Sequence, residues 1–142
     1  MPRKIAFIGC GKKKKSTPCP ARHLYQGVLF QKTLAYVLKE GFSEIFILSA
    51  KYGVVELDQI ISPYEKTLKV MSRKEKEEWT LLVNRQIQEK NLFGEFWIFA
   101  SAAYCCFDGG GEKHMPLANL PIGKRLAFLS FSDIKSDGGF GL

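Results

Sequence analysis

The sequence predicts a single α/β domain with a mostly parallel central sheet of four or so strands. Three apolar segments of strand length support this prediction, at residues 4–9, 44–49 and 95–100. A strand, a helix and a second strand on this length scale form a parallel βαβ unit. Parallel strands present their ligands at their carboxyl ends, so we expect the functional site where these three segments end.

Length and composition limit the class of protein. A chain of 142 residues buries roughly 68% of its unfolded surface in one core, so we expect one domain at 1–135 and a flexible tail at 136–142. No apolar run approaches the roughly 18–20 residues of a membrane span. The amino terminus leads directly into a strand rather than a signal-like region, so we expect a cytoplasmic protein with no membrane partner.

The charge balance favours a polyanionic partner. The formal net charge is +7, and the cations are concentrated at residues 12–15 and 73–76. Each phosphate that lysine or arginine neutralises releases condensed counterions, so a basic surface favours a nucleotide or a nucleic acid. A role in solubility alone is the alternative. The sequence does not specify an oligomeric state.

The first half of the chain contains the basic loop and a crossover helix. Pro18 and Pro20 impose extended geometry after the lysines. From Leu24 onward the apolar positions lie on one helical stripe, and Gly41 ends this helix before the second strand. Residues 54–71 show little periodicity and predict an ordered loop over the sheet.

The second half supplies a further helix and the last strand. Ser72 opens a Ser-x-x-Glu capping box, so a helix is predicted from Ser72 to near Asn91. Consecutive glycines predict a flexible turn at 108–112, serving as a lid or as a simple loop. A last helix is predicted at 120–129, where a proline stands near its start.

Cys10 is the candidate nucleophile, because it follows the first strand and precedes four lysines. Neighbouring cations stabilise a thiolate. The alternative is a small buried residue in a tight turn, since no histidine is tied to Cys10 by a motif. Cys10, Cys19, Cys105 and Cys106 lack the paired spacing of a zinc site and are expected to be reduced, so we predict neither a metal nor a cofactor.

Lysines and tyrosines near the strand ends are the candidate ligand-binding residues. Lys12 and Lys14 predict a phosphate cradle, although a Walker A loop is absent and a solvated charge run is the alternative. Four tyrosines are placed to stack on a base or to lie at the edge of the core: Tyr25, Tyr52, Tyr64 and Tyr104. The second strand end also offers Ser49, Gly53 and Lys51, whose ammonium is expected to meet a ligand phosphate or Asp58.

Carboxylates are scarce near these strand ends. Cleavage of an N-glycosidic bond needs a carboxylate or a positioned water against an oxocarbenium-like transition state. Asp58 and Glu65 are therefore the candidate catalytic acids, with solvated loop residues as the alternative.

The order of motifs resembles DUF6884, a family of small bacterial and phage proteins of unknown function, and the resemblance covers nearly the whole chain. It depends on these segments: Cys10-Gly11-Lys12 with Lys14, Ala21-Arg22-His23-Leu24-Tyr25-Gln26-Gly27 with Phe30, Leu48-Ser49-Ala50-Lys51-Tyr52-Gly53-Val54-Val55, Pro63-Tyr64-Glu65-Lys66-Thr67-Leu68, and Pro116-Leu117 followed by Ile122-Gly123. More distantly, the strand-end motifs are similar to the core domain of archaeosine synthase, a transfer RNA base-modifying enzyme. DUF6884 and the archaeosine synthase core domain are in turn both similar to the uracil-DNA glycosylase-like fold.

The resemblance implies a three-layer αβα sandwich with a pocket for a base or nucleotide at one edge of the sheet. Two functions follow as expectations. The first is an enzyme that acts on a nucleobase or its N-glycosidic bond, glycosylase-like or base-modifying. The second is a non-catalytic module of phage or host-defence type that sequesters a nucleotide or binds nucleic acid.

Overall fold

A five-stranded sheet forms the centre of the molecule. The computed structural model describes residues 3–105, 107, 112–117, 125, 128 and 129. The strand order is β4-β3-β1-β6-β7, and a separate pair joins β2 to β5. The strands are β1 Lys4–Gly9, β2 Cys19–Pro20, β3 Glu44–Ser49, β4 Gly53–Glu56, β5 Ile60–Ile61, β6 Glu95–Phe99 and β7 Lys113–His114.

The parallel core of the sheet confirms the α/β prediction. Strand β1 lies between β3 and β6 and is parallel to both, with Phe7 opposite Phe46 and Ile98. Its four central residues are all buried, which explains why the strand is a continuous apolar run rather than an alternating one. The predicted strands at 4–9 and 44–49 have the observed bounds, and the third ends one residue early, at Phe99.

The predicted loop at 54–71 is wrong over its first part. Gly53 begins β4, which runs antiparallel to β3 and buries Val54 and Val55. A two-residue strand follows and pairs with Cys19 and Pro20. The segment Ala50–Tyr52 is so short that β4 must return alongside β3, and this tight turn rather than hydrophobic periodicity defines the strand.

Three helices are described in full: α1 Ala21–Leu24, α2 Val28–Lys39 and α3 Arg73–Glu89. The helix that was predicted to begin at Leu24 is interrupted, because Tyr25 forms a bridge with Lys14 and Gln26 donates its N–H to the Lys13 carbonyl. The predicted capping box is confirmed, since the Ser72 hydroxyl accepts from the Glu75 N–H at 3.1 Å and the Glu75 carboxylate accepts from the Ser72 N–H.

The two long helices cover opposite faces of the sheet. On α2, Tyr36 contacts Phe99 with ring centroids 5.7 Å apart. On α3, Trp79 contacts Phe107, which in turn packs against Phe7. Phe99 pairs with Ile8, the neighbour of Phe7, and successive residues of a strand point to opposite faces.

Three predictions fall largely outside the described residues. Of the predicted helix at 120–129, Arg125, Phe128 and Leu129 are described and are helical. The tail at 136–142 lies outside the described part of the chain, as does most of the turn at 108–112. Within that described part, no helix combines the length and apolar character needed to cross a membrane.

Candidate functional site

The loops that follow β1, β3 and β6 converge at the carboxyl edge of the sheet. Cys10 donates its N–H to the Leu48 carbonyl at 3.0 Å, which ties the end of β1 to β3. On the other side, a Cβ at Gly9 would lie 2.8 Å from the Cβ of Ala100, so glycine permits close approach to the chain after β6. The strand ends that the sequence singled out therefore form one site.

A buried chain of hydroxyl groups lies at the end of β3. The Ser49 hydroxyl donates to the Tyr64 hydroxyl at 2.9 Å, and the Tyr25 and Tyr64 hydroxyls are 2.6 Å apart. Ser49 also accepts the N–H groups of Lys51 and Tyr52, which closes the turn between β3 and β4. We call Ser49, Tyr64 and Tyr25 the hydroxyl network.

Burial keeps the tyrosines of this network neutral. Desolvation raises the pKa of both Tyr25 and Tyr64 above the ordinary tyrosine range, and repulsion from an ionised Cys10 acts in the same direction. A neutral phenol both donates and accepts hydrogen bonds. The network therefore holds the end of β3 against the loop that carries Tyr64.

Cys10 and Tyr104 form a second polar contact at the same edge. The Cys10 Sγ lies 3.3 Å from the Tyr104 hydroxyl, which also bonds to Thr67 and to the backbone of Leu68. Burial, followed by the effect of an ionised Cys10, raises the pKa of Tyr104. These contacts join the ends of β1 and β6 to Thr67 and Leu68, which follow Tyr64 in the chain.

A cavity of about 710 Å³ opens beside these residues. Its lining is strongly basic, because its cations outnumber its acids among the described residues. The cations are Lys12, Lys13, Lys14, Lys66 and Arg125, and the acid is Glu65. We call this space the basic cavity.

The amino terminus of α2 adds further positive potential to the basic cavity. Residues 27–30 line the cavity, with Gly27 as the N-cap. No side chain caps this helix, and its first turn has no acidic residue. The first N–H groups of a helix have no partner within the helix and carry the positive end of its dipole. An anion in the cavity would therefore meet both ammonium groups and backbone donors.

Lys14 stands between the basic cavity and the hydroxyl network. Its Nζ lies 4.4 Å from the centroid of the Tyr64 ring and 5.8 Å from that of Tyr25, both cation–π distances. The same ammonium donates to the Lys12 carbonyl at 3.2 Å. The tyrosine rings therefore position a cation at the cavity wall.

The structure brings five of the sequence-predicted site residues to the basic cavity: Cys10, Lys12, Lys14, Glu65 and Tyr104. Ser49, Tyr25 and Tyr64 lie beneath it as the hydroxyl network. Tyr25 is fully buried against Phe30 and Tyr64, so its ring offers no face for the expected base stacking. The ring instead supports the ammonium of Lys14.

The turn after β3 lies outside the cavity lining. Lys51 is exposed and its Nζ is 5.2 Å from the centroid of the Tyr52 ring, which packs edge-to-face on Tyr64. Gly53 adopts a φ of 75°, and a Cβ there would lie 2.2 Å from the Gln86 Oε1. The role visible for Gly53 is therefore conformational rather than ligand contact.

Asp58 lies away from the basic cavity. Its carboxylate pairs with Arg22, with the Nε 2.9 Å from Oδ1. Both residues line a separate groove of about 560 Å³ beside the amino-terminal half of β3. The structure thus separates the two carboxylates that the sequence offered, and Glu65 alone reaches the cavity.

Several residues of the site escaped sequence reasoning. Trp79 donates its indole N–H to the Ser49 carbonyl at 2.8 Å, and Lys66, Thr67 and Arg125 line the basic cavity. Lys66 and Thr67 follow Tyr64 within one of the segments that resemble DUF6884, so their position in that segment could have indicated a place in the site. Trp79 and Arg125 lie on helical segments, where nothing in the sequence indicates contact with a distant strand end.

Comparison with known proteins identifies a family whose function is unknown. The model of the family described as "Family of unknown function (DUF6884)" matches residues 5–131. Searches of curated proteins and of solved structures gave no significant match.

Proposed function

The chain belongs to DUF6884, a family of unknown function, and from that premise we propose that its basic cavity binds a nucleotide or a phosphate-bearing end of a nucleic acid. One observation supports the proposal most strongly. Lysines and arginine dominate the lining of a cavity that also receives the uncapped amino terminus of α2. Ammonium groups and helix N–H donors together favour phosphate over neutral ligands.

The cavity offers separate places for a phosphate and a base. Lys12 and Lys14 lie on the side of the basic loop, near the first turn of α2. The apolar part of the lining includes Phe30, Phe99 and Leu117. A volume of about 710 Å³ lies within the range of roughly 300–1,000 Å³ that small-ligand sites occupy. We place the phosphate on the lysine side and the base against the apolar side.

A second candidate function is catalysis at the base or its N-glycosidic bond, glycosylase-like or base-modifying. The observation that favours it is the presence of Glu65 in the same cavity as the Cys10–Tyr104 pair. Glu65 would orient a water or stabilise an oxocarbenium-like transition state. Burial raises the pKa of Tyr104, so its neutral hydroxyl holds the Cys10 thiol at the wall of this cavity. The proposed likeness to archaeosine synthase and to uracil-DNA glycosylase belongs to this candidate.

The simpler form of the proposal is a non-catalytic module that sequesters a nucleotide, as a phage or host-defence protein would. Among the described lining residues, Glu65 has no second carboxylate beside it, and Asp58 is paired with Arg22 elsewhere. This scarcity of acids favours binding without turnover.

Calorimetric titration with nucleoside mono- and triphosphates and with short 5′-phosphorylated oligonucleotides tests the binding proposal. Lys12→Gln and Lys14→Gln should each weaken binding by about 1.5–3 kcal/mol, the range for a hydrogen bond to a charged group, and should reduce its salt dependence. Lys90→Gln is the matched control, because Lys90 is an exposed cation at the end of α3 that does not line the cavity. Equal affinity for wild type, both cavity variants and the control would overturn the proposal.

Product analysis then separates the two candidates. Incubation of bound nucleotide, followed by denaturation and mass spectrometry, should return intact ligand from a sequestering module and a free or altered base from an enzyme. If turnover occurs, Glu65→Gln should abolish it while ligand affinity persists. Turnover that is unchanged in Glu65→Gln would exclude the catalytic role given to this carboxylate.

A further inference from the structure

A cluster of potential metal ligands lies at the opposite end of the sheet from the basic cavity. Glu95 begins β6, His114 lies in β7, and Glu112 directly precedes β7. One ligand atom from each of the three residues lies within 4.8 Å of the others. The residues are brought together by the parallel pairing of Phe96 with Lys113 and of Trp97 with His114.

The imidazole of His114 points a buried nitrogen at both carboxylates without a hydrogen bond. Its Nε2 lies 3.3 Å from the Glu95 Oε1 and 3.7 Å from the Glu112 Oε1. These contacts lack hydrogen-bond geometry, so the buried Nε2 has no hydrogen-bond partner among the described residues. The ring is held in place by stacking on Trp97, with centroids 4.2 Å apart and an interplanar angle of 16°. A buried polar nitrogen without a partner calls for an explanation.

The separation of the His114 and Glu95 donor atoms is that of two ligands that share one metal ion. Zinc lies 2.0–2.1 Å from a histidine nitrogen and 2.0–2.2 Å from a carboxylate oxygen, so tetrahedral geometry places the two ligand atoms about 3.4 Å apart. The Nε2 to Glu95 distance of 3.3 Å fits this value. One carboxylate oxygen of Glu95 also lies within 4.8 Å of one of Glu112, and like charges at this distance repel. A cation between them would remove this repulsion.

We propose that Glu95, Glu112 and His114 bind a divalent first-row metal ion, with Zn²⁺ as the leading candidate. One imidazole and two carboxylates suit Zn²⁺ and its first-row neighbours better than Ca²⁺ or Mg²⁺, which prefer oxygen ligands alone. The Glu112 side chain is 70% exposed, so the site opens to solvent and water completes the coordination.

The proposed ion would fasten β7 to the rest of the sheet. Among the described residues, β6 and β7 pair through only two residue pairs, so few backbone hydrogen bonds hold β7 at this edge of the sheet. The chain continues from His114 to Leu117, which is buried and lines the basic cavity. Metal binding at one end of the sheet would therefore steady a wall of the cavity at the other end.

Titration of metal-free, thiol-alkylated protein with Zn²⁺ tests this proposal. Alkylation is needed because the free thiols of Cys10 and Cys19 would also bind zinc. His114→Gln and Glu112→Gln should each weaken Zn²⁺ affinity at least about tenfold, a loss typical even of residues that only support metal ligands. Glu56→Gln is the matched control, because Glu56 is an exposed carboxylate on the opposite edge strand.

Thermal unfolding provides a second readout that does not depend on nucleotide binding. Zn²⁺ should raise the Tm of wild type and of Glu56→Gln, because a ligand that binds the folded state stabilises it, and should not raise that of Glu112→Gln. If His114→Gln fails to fold, the exposed position of Glu112 makes Glu112→Gln the deciding variant. Equal Zn²⁺ affinity in wild type and Glu112→Gln would overturn the proposal and leave the cluster as an ion pair.

Discussion

The two ends of the sheet differ in how many carboxylates they carry. At the carboxyl edge, the described residues of the cavity lining include four lysines and Arg125 but a single carboxylate, Glu65. Beside the amino-terminal half of β3, the groove lining combines Glu44, Glu56 and Asp58 with Arg22. Glu95 and Glu112 belong to the same acidic end, at the start of β6 and beside β7.

This difference shows that the net charge of +7 does not describe the surface as a whole. We propose a phosphate for the basic cavity at one end and a metal ion for the cluster around His114 at the other. The ends also differ in packing, because the carboxyl edge contains a buried network of hydroxyl groups. At the other end, partly exposed acids pair with Arg3 and Arg22. The carboxyl edge should therefore respond more strongly to substitution than the amino edge.

The largest expected effect on stability comes from substituting a glycine with positive φ, and two such glycines can be compared. Gly53 lies at the carboxyl edge, where a Cβ would displace the Gln86 amide that bonds to Val54 and Tyr52. Gly41 lies before β3, and a Cβ there meets nothing within 4 Å. Gly53→Ala should lower the free energy of unfolding by about 2–4 kcal/mol, the left-handed cost plus the lost hydrogen bonds.

Gly41→Ala carries the left-handed cost alone and should lower the free energy of unfolding by about 1–2 kcal/mol. Urea unfolding of both variants measures the difference. Equal losses would show that the Gln86 contact contributes nothing and that the turn after β3 tolerates a side chain.

The sequence predicted β1, β3 and β6 because each of these strands satisfies a local rule. In β1 the four residues from Ile5 to Ile8 are all apolar and all buried. In contrast, β4 depends on the turn geometry at Gly53, which hydrophobic periodicity does not encode. The location of Asp58 depends on long-range backbone contacts, because its neighbours Leu57 and Gln59 accept the N–H groups of Arg22 and Ala21.

The candidate site was predicted only in part, for a similar reason. Cys10 and the lysines were found because strand ends converge in any parallel sheet. Burial of Tyr25 follows from its packing against Phe30 and Tyr64, which no local pattern reveals. The cluster around His114 depends on the register of β7 on β6. The prediction that no metal is bound considered the four cysteines alone.

A smaller effect concerns alkaline pH, to which the hydroxyl network should make the fold sensitive. Burial raises the pKa of Tyr25, Tyr64 and Tyr104 in the folded protein above the unfolded value of 10.0. The unfolded chain therefore loses these protons first, and stability that is present below pH 10 is lost as the pH rises. Each tyrosine should contribute a slope of about 1.4 kcal/mol per pH unit above pH 10.

Tyr64→Phe tests this sensitivity through the slope rather than through absolute stability. The variant should show a shallower fall in the free energy of unfolding between pH 10 and pH 11.5, by about 1.4 kcal/mol per pH unit. Stability at neutral pH is the internal reference, because loss of the Ser49 hydrogen bond affects both values equally. Identical slopes in the two proteins would mean that Tyr64 ionises as readily in the folded state as in the unfolded chain.

The smallest expected effect is at Asp58. Substitution of this residue tests directly whether the two ends of the sheet have different roles. Its side chain is 77% exposed and pairs with Arg22 beside the groove, so Asp58→Asn should change the free energy of unfolding by less than about 1 kcal/mol. Because Asp58 does not line the basic cavity, nucleotide affinity and any turnover should match wild type. Calorimetry and product analysis should be carried out on Asp58→Asn and Glu65→Gln in parallel, because Glu65 is the matched carboxylate that does line the cavity. Loss of turnover in Asp58→Asn with affinity preserved would instead move the chemistry to the acidic end and refute the division of roles between the two edges.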